Sequence, residues 1–116
     1  ADYYSNAFSN NPNIKAPYRV ENSTHVFHQY TLQLKEGIDR NAMVDYLLSK
    51  KVPAMIYYPV ALHMQKAYKD SRYAEGAFPV TERLVKNVFS LPMHSELEED
   101  QLKYIVESVL EFLNKN

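Results

Sequence analysis

Hydrophobic and polar residues alternate most regularly along residues 25–34, which read HVFHQYTLQL. Successive side chains of a β-strand point to opposite faces, so this alternation predicts a strand. One face would carry Val26, His28, Tyr30, Leu32 and Leu34, and the other Phe27, Gln29, Thr31 and Gln33. A second strand is predicted at residues 53–57, and shorter strands at 14–19 and 90–93. Each of the two short strands contains a proline, which favours the edge of a sheet.

Apolar residues recur every three or four positions in other stretches, which is typical of helices with one buried face. The last helix has the most regular face, formed by Leu102, Ile105, Val106, Val109, Leu110 and Leu113. Ser95 and Glu98, three residues apart, match a capping box at its start. Asp39 is expected to cap a helix that runs to about Lys50. The residues of this helix that are predicted to face inward are Met43, Val44, Leu47 and Leu48.

Two further helices and a short helical piece are predicted. The first residues, ADYYSNAF, place Tyr3, Tyr4, Ala7 and Phe8 on one helical face, and the turn-forming SNNPN follows. No capping residue precedes this helix, so we interpret the chain as a piece that opens inside a longer helix; a trimmed or frayed terminus is the alternative. A helix from about Val80 would bury Leu84, Val85, Val88 and Phe89. A short helical piece is expected at residues 63–69, with a loop at 70–79.

The predicted order of elements is α-β-β-α-β-α-β-α. Strands close in sequence with helices between them favour a small, largely antiparallel sheet with helices packed on one face, an α+β fold. The other face of the sheet would be covered by loops or by a partner.

Composition excludes several classes of function. The chain has 116 residues, no cysteine, 13 basic and 14 acidic residues, and a net charge of −1. No basic cluster of the kind that binds nucleic acid is present, and no apolar run is long enough to span a membrane. Without cysteine there is no disulfide, thiolate metal site or cysteine nucleophile. Two glycines are too few for a glycine-rich phosphate loop.

The candidate chemistry lies in two clusters of polar and aromatic residues. His28, Gln29 and Tyr30 lie on one predicted strand, while Tyr57, Tyr58 and His63 follow another. No metal site is expected, because an odd spacing sends His25 and His28 to opposite faces of a strand. Tyrosines are also common at sheet edges, with the ring packed and the hydroxyl in water, so a purely structural reading stays open.

Several motifs in the second half resemble one known family. The strings PAMIYYPVALHMQKAY and FPVTERLVKNVFSLPMHSELEEDQLKYIVESVLEFL are similar to the C-terminal part of the DegT/DnrJ/StrS pyridoxal-phosphate-dependent sugar aminotransferases, and HVFHQYTLQL resembles the strand that precedes them there. The resemblance covers about residues 14–113. Ala61 replaces a common proline and Lys51 a common glycine; neither change removes a polar group.

This resemblance implies an enzyme of which the chain is one part. Residues 1–13 would be the remnant of an interdomain helix and turn, and 14–116 the C-terminal small domain. A missing N-terminal large domain would hold pyridoxal phosphate and supply the Schiff-base lysine, so no catalytic residue and no cofactor are expected within this chain. The full-length enzyme would be a cytoplasmic homodimer, bind no nucleic acid or membrane, and move an amino group from glutamate to a nucleotide-linked keto sugar.

The same resemblance implies a substrate-binding role for six residues: His28, Gln29, Tyr30, Tyr57, Tyr58 and His63. Two alternatives remain. The first is a binding or regulatory module of the same family that lacks the chemistry. The second is a structural or dimerisation piece, which would expose apolar surface and self-associate.

Overall fold

The computed structural model describes residues 1–115. It contains four helices, α1 (Asp2–Phe8), α2 (Arg40–Ser49), α3 (Pro79–Asn87) and α4 (Glu99–Lys115), and three strands, β1 (Ile14–Lys15), β2 (Tyr30–Leu34) and β3 (Val88–Leu91). Short 3-10 turns cover Leu62–Met64, Lys66–Tyr68 and Ser71–Tyr73. The strands form an antiparallel sheet in the order β1-β2-β3. The predicted α+β fold with an antiparallel sheet is confirmed.

One face of the sheet builds the core. Tyr30, Leu32 and Leu34 alternate with half-buried residues along β2 and are themselves buried. They pair in register with β3, where Leu32 faces Phe89. On the opposite face the sheet is more polar, and the Thr31 and Ser90 hydroxyls lie 2.9 Å apart. The difference between the faces follows from the period of two that the sequence shows.

Helices α1, α2 and α4 cover the apolar face of the sheet. The periodic residues of α4 are buried or half-buried as predicted, and so are those of α1. In α2, the Asp39 side chain accepts hydrogen bonds from the N–H groups of Asn41 and Ala42, so the predicted cap is present. Leu48 is exposed rather than inward, because it lies at the edge of the helical face centred on Met43 and Leu47.

The strand predicted at 25–34 is shorter than expected. It begins at Tyr30, and the alternation breaks at Phe27, which has a φ of 48° and a buried side chain. The Phe27 N–H donates to His25 Nδ1 at 2.9 Å instead of to a neighbouring strand. Val26, expected on the same face as Tyr30, Leu32 and Leu34, is 90% exposed.

Several other boundaries also differ from the predictions: the strand expected at 14–19 covers only Ile14–Lys15, and that expected at 90–93 covers Val88–Leu91. Residues 53–57 form no strand, and only Met55 pairs with the sheet, through two backbone hydrogen bonds to Ser90. Helix α3 ends at Asn87, so the apolar residues expected to complete its stripe, at 88 and 89, begin β3 instead. At α4, the Gln101 side chain accepts from the Glu98 N–H, so the cap lies three residues beyond Ser95.

Candidate functional site

Three of the six predicted site residues line one small groove. His28, Gln29 and Tyr57 share a concavity of about 170 Å³ at the edge of the sheet. Its remaining walls are Pro53, Met55, Ser90, Leu91, Pro92 and Met93. The groove therefore joins the residues just before β2, the Met55 bridge and the end of β3. It offers polar side chains beside apolar surface.

Phe27 positions the two groove residues that follow it. Its ring is buried beside His25, with ring centroids 4.2 Å apart, and the Arg19 guanidinium lies 4.7 Å from its ring centre. A left-handed backbone is costly for a bulky residue and persists only where the surroundings hold it. With Phe27 directed inward, His28 is exposed and Gln29 is half-buried.

Tyr30 lies in the core and not in the groove. Its side chain is 0% exposed, its ring lies 5.0 Å from that of Tyr4, and its hydroxyl is 2.9 Å from Ser5 Oγ. Burial raises the pKa of the Tyr30 hydroxyl, and the hydrogen bond between it and Ser5 offsets this only in part. Tyr30, expected to bind substrate, therefore does not reach the groove in this structure. It shares the parity of Leu32 and Leu34 along β2, which directs it to the apolar face.

The two consecutive tyrosines occupy different environments. Tyr57 is partly exposed and lines the groove, while Tyr58 is 69% exposed and outside it. Their rings meet edge to face with centroids 5.9 Å apart, and the peptide bond between them is cis. Tyr58 therefore does not line the groove itself and contacts a groove residue, Tyr57.

His63 belongs to a separate cluster at the start of α3. Its Nε2 lies 2.9 Å from Glu82 Oε1, and its ring packs against Phe78 with centroids 4.9 Å apart. The His63 side chain is 8% exposed and that of Glu82 is 18% exposed. The structure thus does not bring His63 together with the groove residues.

Sequence reasoning missed the apolar groove walls and Glu82. Met55, Pro92 and Met93 form walls only because the isolated bridge at Met55 brings residues 53–57 beside the end of β3. Glu82 has the sequence signal of an acidic residue in the first turn of a helix, a common stabilising feature without a site. A larger concavity of about 430 Å³ lies between residues 51–53 and the start of α4, and it includes none of the six predicted residues.

Within residues 1–115 the structure contains neither a metal-binding cluster nor a membrane-spanning helix. No group of three or more His, Asp or Glu side chains in that part of the chain is arranged to hold a metal ion. None of the helices described there combines the length and apolar character that crossing a bilayer requires.

The lysines of the chain do not form a site for pyridoxal phosphate. A lysine that forms a Schiff base needs a lowered pKa in a desolvated pocket. Here Lys50 and Lys115 pair with Glu111, and for each the hydrogen bond to that carboxylate raises the lysine pKa. All other lysines are exposed. The residues present therefore do not fit the cofactor, and no step through it is assigned to them.

Comparison with known proteins shows a single family. The model of the DegT/DnrJ/EryC1/StrS aminotransferase family matches residues 1–110. A pleiotropic regulatory protein of Geobacillus stearothermophilus is 37% identical over 85% of this chain and 26% of its own length. A UDP-N-acetyl-3-dehydro-alpha-D-glucosamine 3-aminotransferase of Acidithiobacillus ferrooxidans is 41% identical over 70% of this chain and 21% of its own length.

Solved structures show the same fold. The crystal structure of a DegT DnrJ EryC1 StrS aminotransferase from Brucella abortus superposes with a TM-score of 0.82 and 30% identity, over 96% of this chain and 28% of that one. The chain thus spans about a quarter of the length of the relatives it matches. Because the family model covers nearly all of its residues, this chain belongs to the DegT/DnrJ/EryC1/StrS aminotransferase family.

Proposed function

We propose that this chain is the C-terminal small domain of a pyridoxal-phosphate-dependent aminotransferase that moves an amino group from glutamate to a nucleotide-linked keto sugar. In this proposal an N-terminal large domain holds the cofactor, whose ring serves as the electron sink for the transfer. Family membership supports the reaction class, and the Acidithiobacillus relative is named for a keto-sugar nucleotide. Residues 1–13 are then the end of an interdomain connection.

The groove at His28, Gln29 and Tyr57 is the observation that carries the substrate assignment. The three side chains can hydrogen-bond sugar hydroxyls or phosphate oxygens without requiring a charge. Met55 and Pro92 add apolar surface on which a sugar ring can pack. We assign His28, Gln29 and Tyr57 to substrate binding, with Tyr58 beside them. Tyr30 lies in the core and His63 pairs with Glu82, so we assign neither of them to direct contact with the substrate.

The test is transamination by the full-length protein. It is supplied with pyridoxal phosphate, glutamate and UDP- or dTDP-linked keto sugars, and the aminated sugar nucleotide is detected by mass spectrometry. Gln29→Ala should raise KM for the sugar nucleotide by about tenfold, the effect of one lost hydrogen bond of roughly 1.4 kcal/mol. Gln33→Ala is the matched control, because Gln33 lies on β2 outside the groove. Absence of any aminated product from all these sugars would refute the proposal.

A second candidate is a regulatory protein of the same family without transaminase activity. The name of the Geobacillus relative, a pleiotropic regulatory protein, favours this alternative. The two candidates differ in the visible absorbance of bound pyridoxal phosphate and in product formation. A full-length protein that lacks both would support the regulatory alternative.

A cytoplasmic homodimer is the proposed state of the full-length protein. Exposed apolar side chains between Tyr57 and Phe78 support an interface on this part of the chain. Sedimentation of the full-length protein should give the mass of two subunits, and a monomer at all concentrations would contradict the homodimer. Fractionation of cells should recover the protein with the cytosol.

A further inference from the structure

Residues 57–78, which we call the aromatic segment, have almost no core of their own. Ala61 is the only residue among them that is buried as a whole, and His63 is half-buried with a side chain that is 8% exposed. Their large side chains are exposed to solvent: Tyr57, Tyr58, Val60, Leu62, Met64, Tyr68, Tyr73 and Phe78. A segment with so few buried apolar contacts has low local stability unless other interactions hold it.

One carboxylate connects distant parts of this segment. Both oxygens of Glu82 accept from the Gly76 N–H at 3.0 Å, and Oε1 also accepts from the Phe78 N–H at 3.2 Å. The same Oε1 lies 2.9 Å from His63 Nε2. Because an ionised carboxylate only accepts hydrogen bonds, His63 Nε2 is the donor. Glu82 therefore links residue 63 to residues 76 and 78.

Glu82 is suited to this role because it stands on a regular element. It lies in the first turn of α3, and that helix contacts β2 of the sheet. Gly76 has a φ of 91°, a conformation that glycine adopts without strain, and its N–H reaches the carboxylate from there. Partial burial raises the pKa of Glu82, but the bonds from Gly76, Phe78 and His63 outweigh it and lower that pKa overall.

We propose that Glu82 is the positioning residue that holds the aromatic segment against α3. Tyr57 begins this segment two residues after the Met55 bridge, so the segment's order bears on how steadily Tyr57 lines the groove. The part that concerns substrate binding rests on the function proposed above. Glu82 acts through His63, Gly76 and Phe78 and does not itself contact the groove.

The first experiment measures order in the aromatic segment without relying on activity. Hydrogen–deuterium exchange of the full-length protein is followed by mass spectrometry for Glu82→Ala, Glu82→Gln and Glu75→Gln. Glu75 is an exposed acid of the same segment whose side chain makes no hydrogen bond to residues 1–115, so it is the matched control. Glu82→Ala should speed exchange in peptides covering 63–78 by about tenfold or more, because charge-assisted hydrogen bonds are lost.

Glu82→Gln keeps the shape of the side chain and removes its negative charge, so it separates the two contributions to order in the aromatic segment. Its amide oxygen can replace Oε1 and keep the bonds from His63 and Phe78, whereas its amide nitrogen places a donor opposite the Gly76 N–H. Exchange should therefore increase less than in Glu82→Ala and mainly around residue 76. If Glu82→Ala fails to fold, the exchange rates of Glu82→Gln around residue 76 test the proposal. The proposal is overturned if both Glu82 variants exchange at the same rate as Glu75→Gln. It is also overturned if exchange rises in α2 and β2 as much as in the aromatic segment.

The second experiment asks whether this order matters for the substrate. In an active full-length protein, Glu82→Ala should raise KM for the sugar nucleotide several-fold more than it changes kcat, with partial rescue by glutamine. Faster exchange with unchanged kinetics would overturn the link to the groove and leave the proposed function intact. Absence of activity in the unmodified protein refutes the proposed function alone, because the exchange result does not depend on it.

Discussion

Two pairs of tyrosines in this molecule have the same side-chain chemistry but opposite exposure to solvent. Tyr4 and Tyr30 are fully buried, with ring centroids 5.0 Å apart, and both hydroxyls have partners, the Pro92 carbonyl and Ser5. Tyr58 and Tyr68 of the aromatic segment are more than half exposed. The first pair comes from α1 and β2, whose regular backbones repeat an apolar face. The second pair comes from irregular backbone.

The difference shows that burial of a ring depends on backbone periodicity more than on residue type. A helix or strand brings successive apolar residues to one side, so each ring finds neighbours from its own element. The aromatic segment consists of three 3-10 turns and connecting residues, and such turns rarely extend far enough to build a face. Its rings can be covered only by another surface.

The largest expected contrast is between Tyr30→Ala and Tyr58→Ala. Removing the Tyr30 ring leaves a cavity in the core and should lower the free energy of unfolding by about 3–5 kcal/mol. Removing the exposed Tyr58 ring should change it by less than about 0.5 kcal/mol. Urea unfolding of the chain followed by circular dichroism measures both. Similar losses in the two variants would break the comparison.

A smaller contrast concerns hydroxyl groups. Tyr4→Phe removes the 3.0 Å hydrogen bond to the Pro92 carbonyl and should cost about 1 kcal/mol of unfolding free energy. Tyr73→Phe is the matched control, since the Tyr73 hydroxyl makes no hydrogen bond with any residue from 1 to 115 and should give no measurable loss. The thermal midpoints of the two variants provide the measurement.

Two glutamates extend the comparison between the core and the aromatic segment to the pH dependence of stability. The hydrogen bond from Lys115 is the main cause that lowers the pKa of Glu111 from its ordinary 4.5 to about 2, and the bond from Lys50, at the end of α2, contributes to it. A lowered folded-state pKa stabilises the fold above pH 4.5, and this contribution is lost progressively as pH falls towards 2. Glu111→Gln should therefore reduce the acid sensitivity of global unfolding.

Glu82 should respond to acid differently, because its bonds hold a segment without a core. Its lowered pKa predicts that the aromatic segment keeps its exchange protection through the ordinary range of glutamate and loses it below that range. Glu82→Gln should change this local protection and leave the pH dependence of global unfolding as it is. Urea titrations and exchange, corrected for intrinsic rates, distinguish the two glutamates.

The smallest effect expected is on association of the isolated chain. The exposed side chains of the aromatic segment should make it self-associate, and Leu62→Ser with Tyr68→Ser should reduce the average mass seen by light scattering. Val26→Ser, at a residue that is 90% exposed outside the segment, should not. Each apolar side chain contributes roughly 1 kcal/mol or less when it is only partly covered. Equal effects in both cases would show that the segment has no special part in association.

The regular elements could be predicted from the sequence because their signals are local. The face of α4 and the cap at Asp39 depend on residues within a few positions of each other, and both are present. Tyr30 shares its parity with Leu32 and Leu34 and is buried with them, although the resemblance implied that it binds substrate. The same parity fails at Val26 and His28, which precede the strand and are exposed.

Features that depend on distant partners could not be predicted. The alternation of residues 25–34 continues through Phe27, but β3 pairs only with residues 30–33, so nothing extends the strand backwards. Nor does the sequence show that Glu82 reaches Gly76 and His63, since these contacts arise only after the aromatic segment folds back on α3. The groove walls depend in the same way on the single bridge at Met55.

The small size of the groove has a consequence for how a large ligand is recognised. Pockets that enclose drug-sized molecules measure about 300 Å³ or more, whereas this groove offers about 170 Å³. A sugar joined to a nucleotide, the proposed ligand, exceeds that space, so this groove by itself can contact only part of such a ligand. Exchanging these residues with the matching part of a related protein should therefore alter which ligands are preferred without transplanting the whole preference.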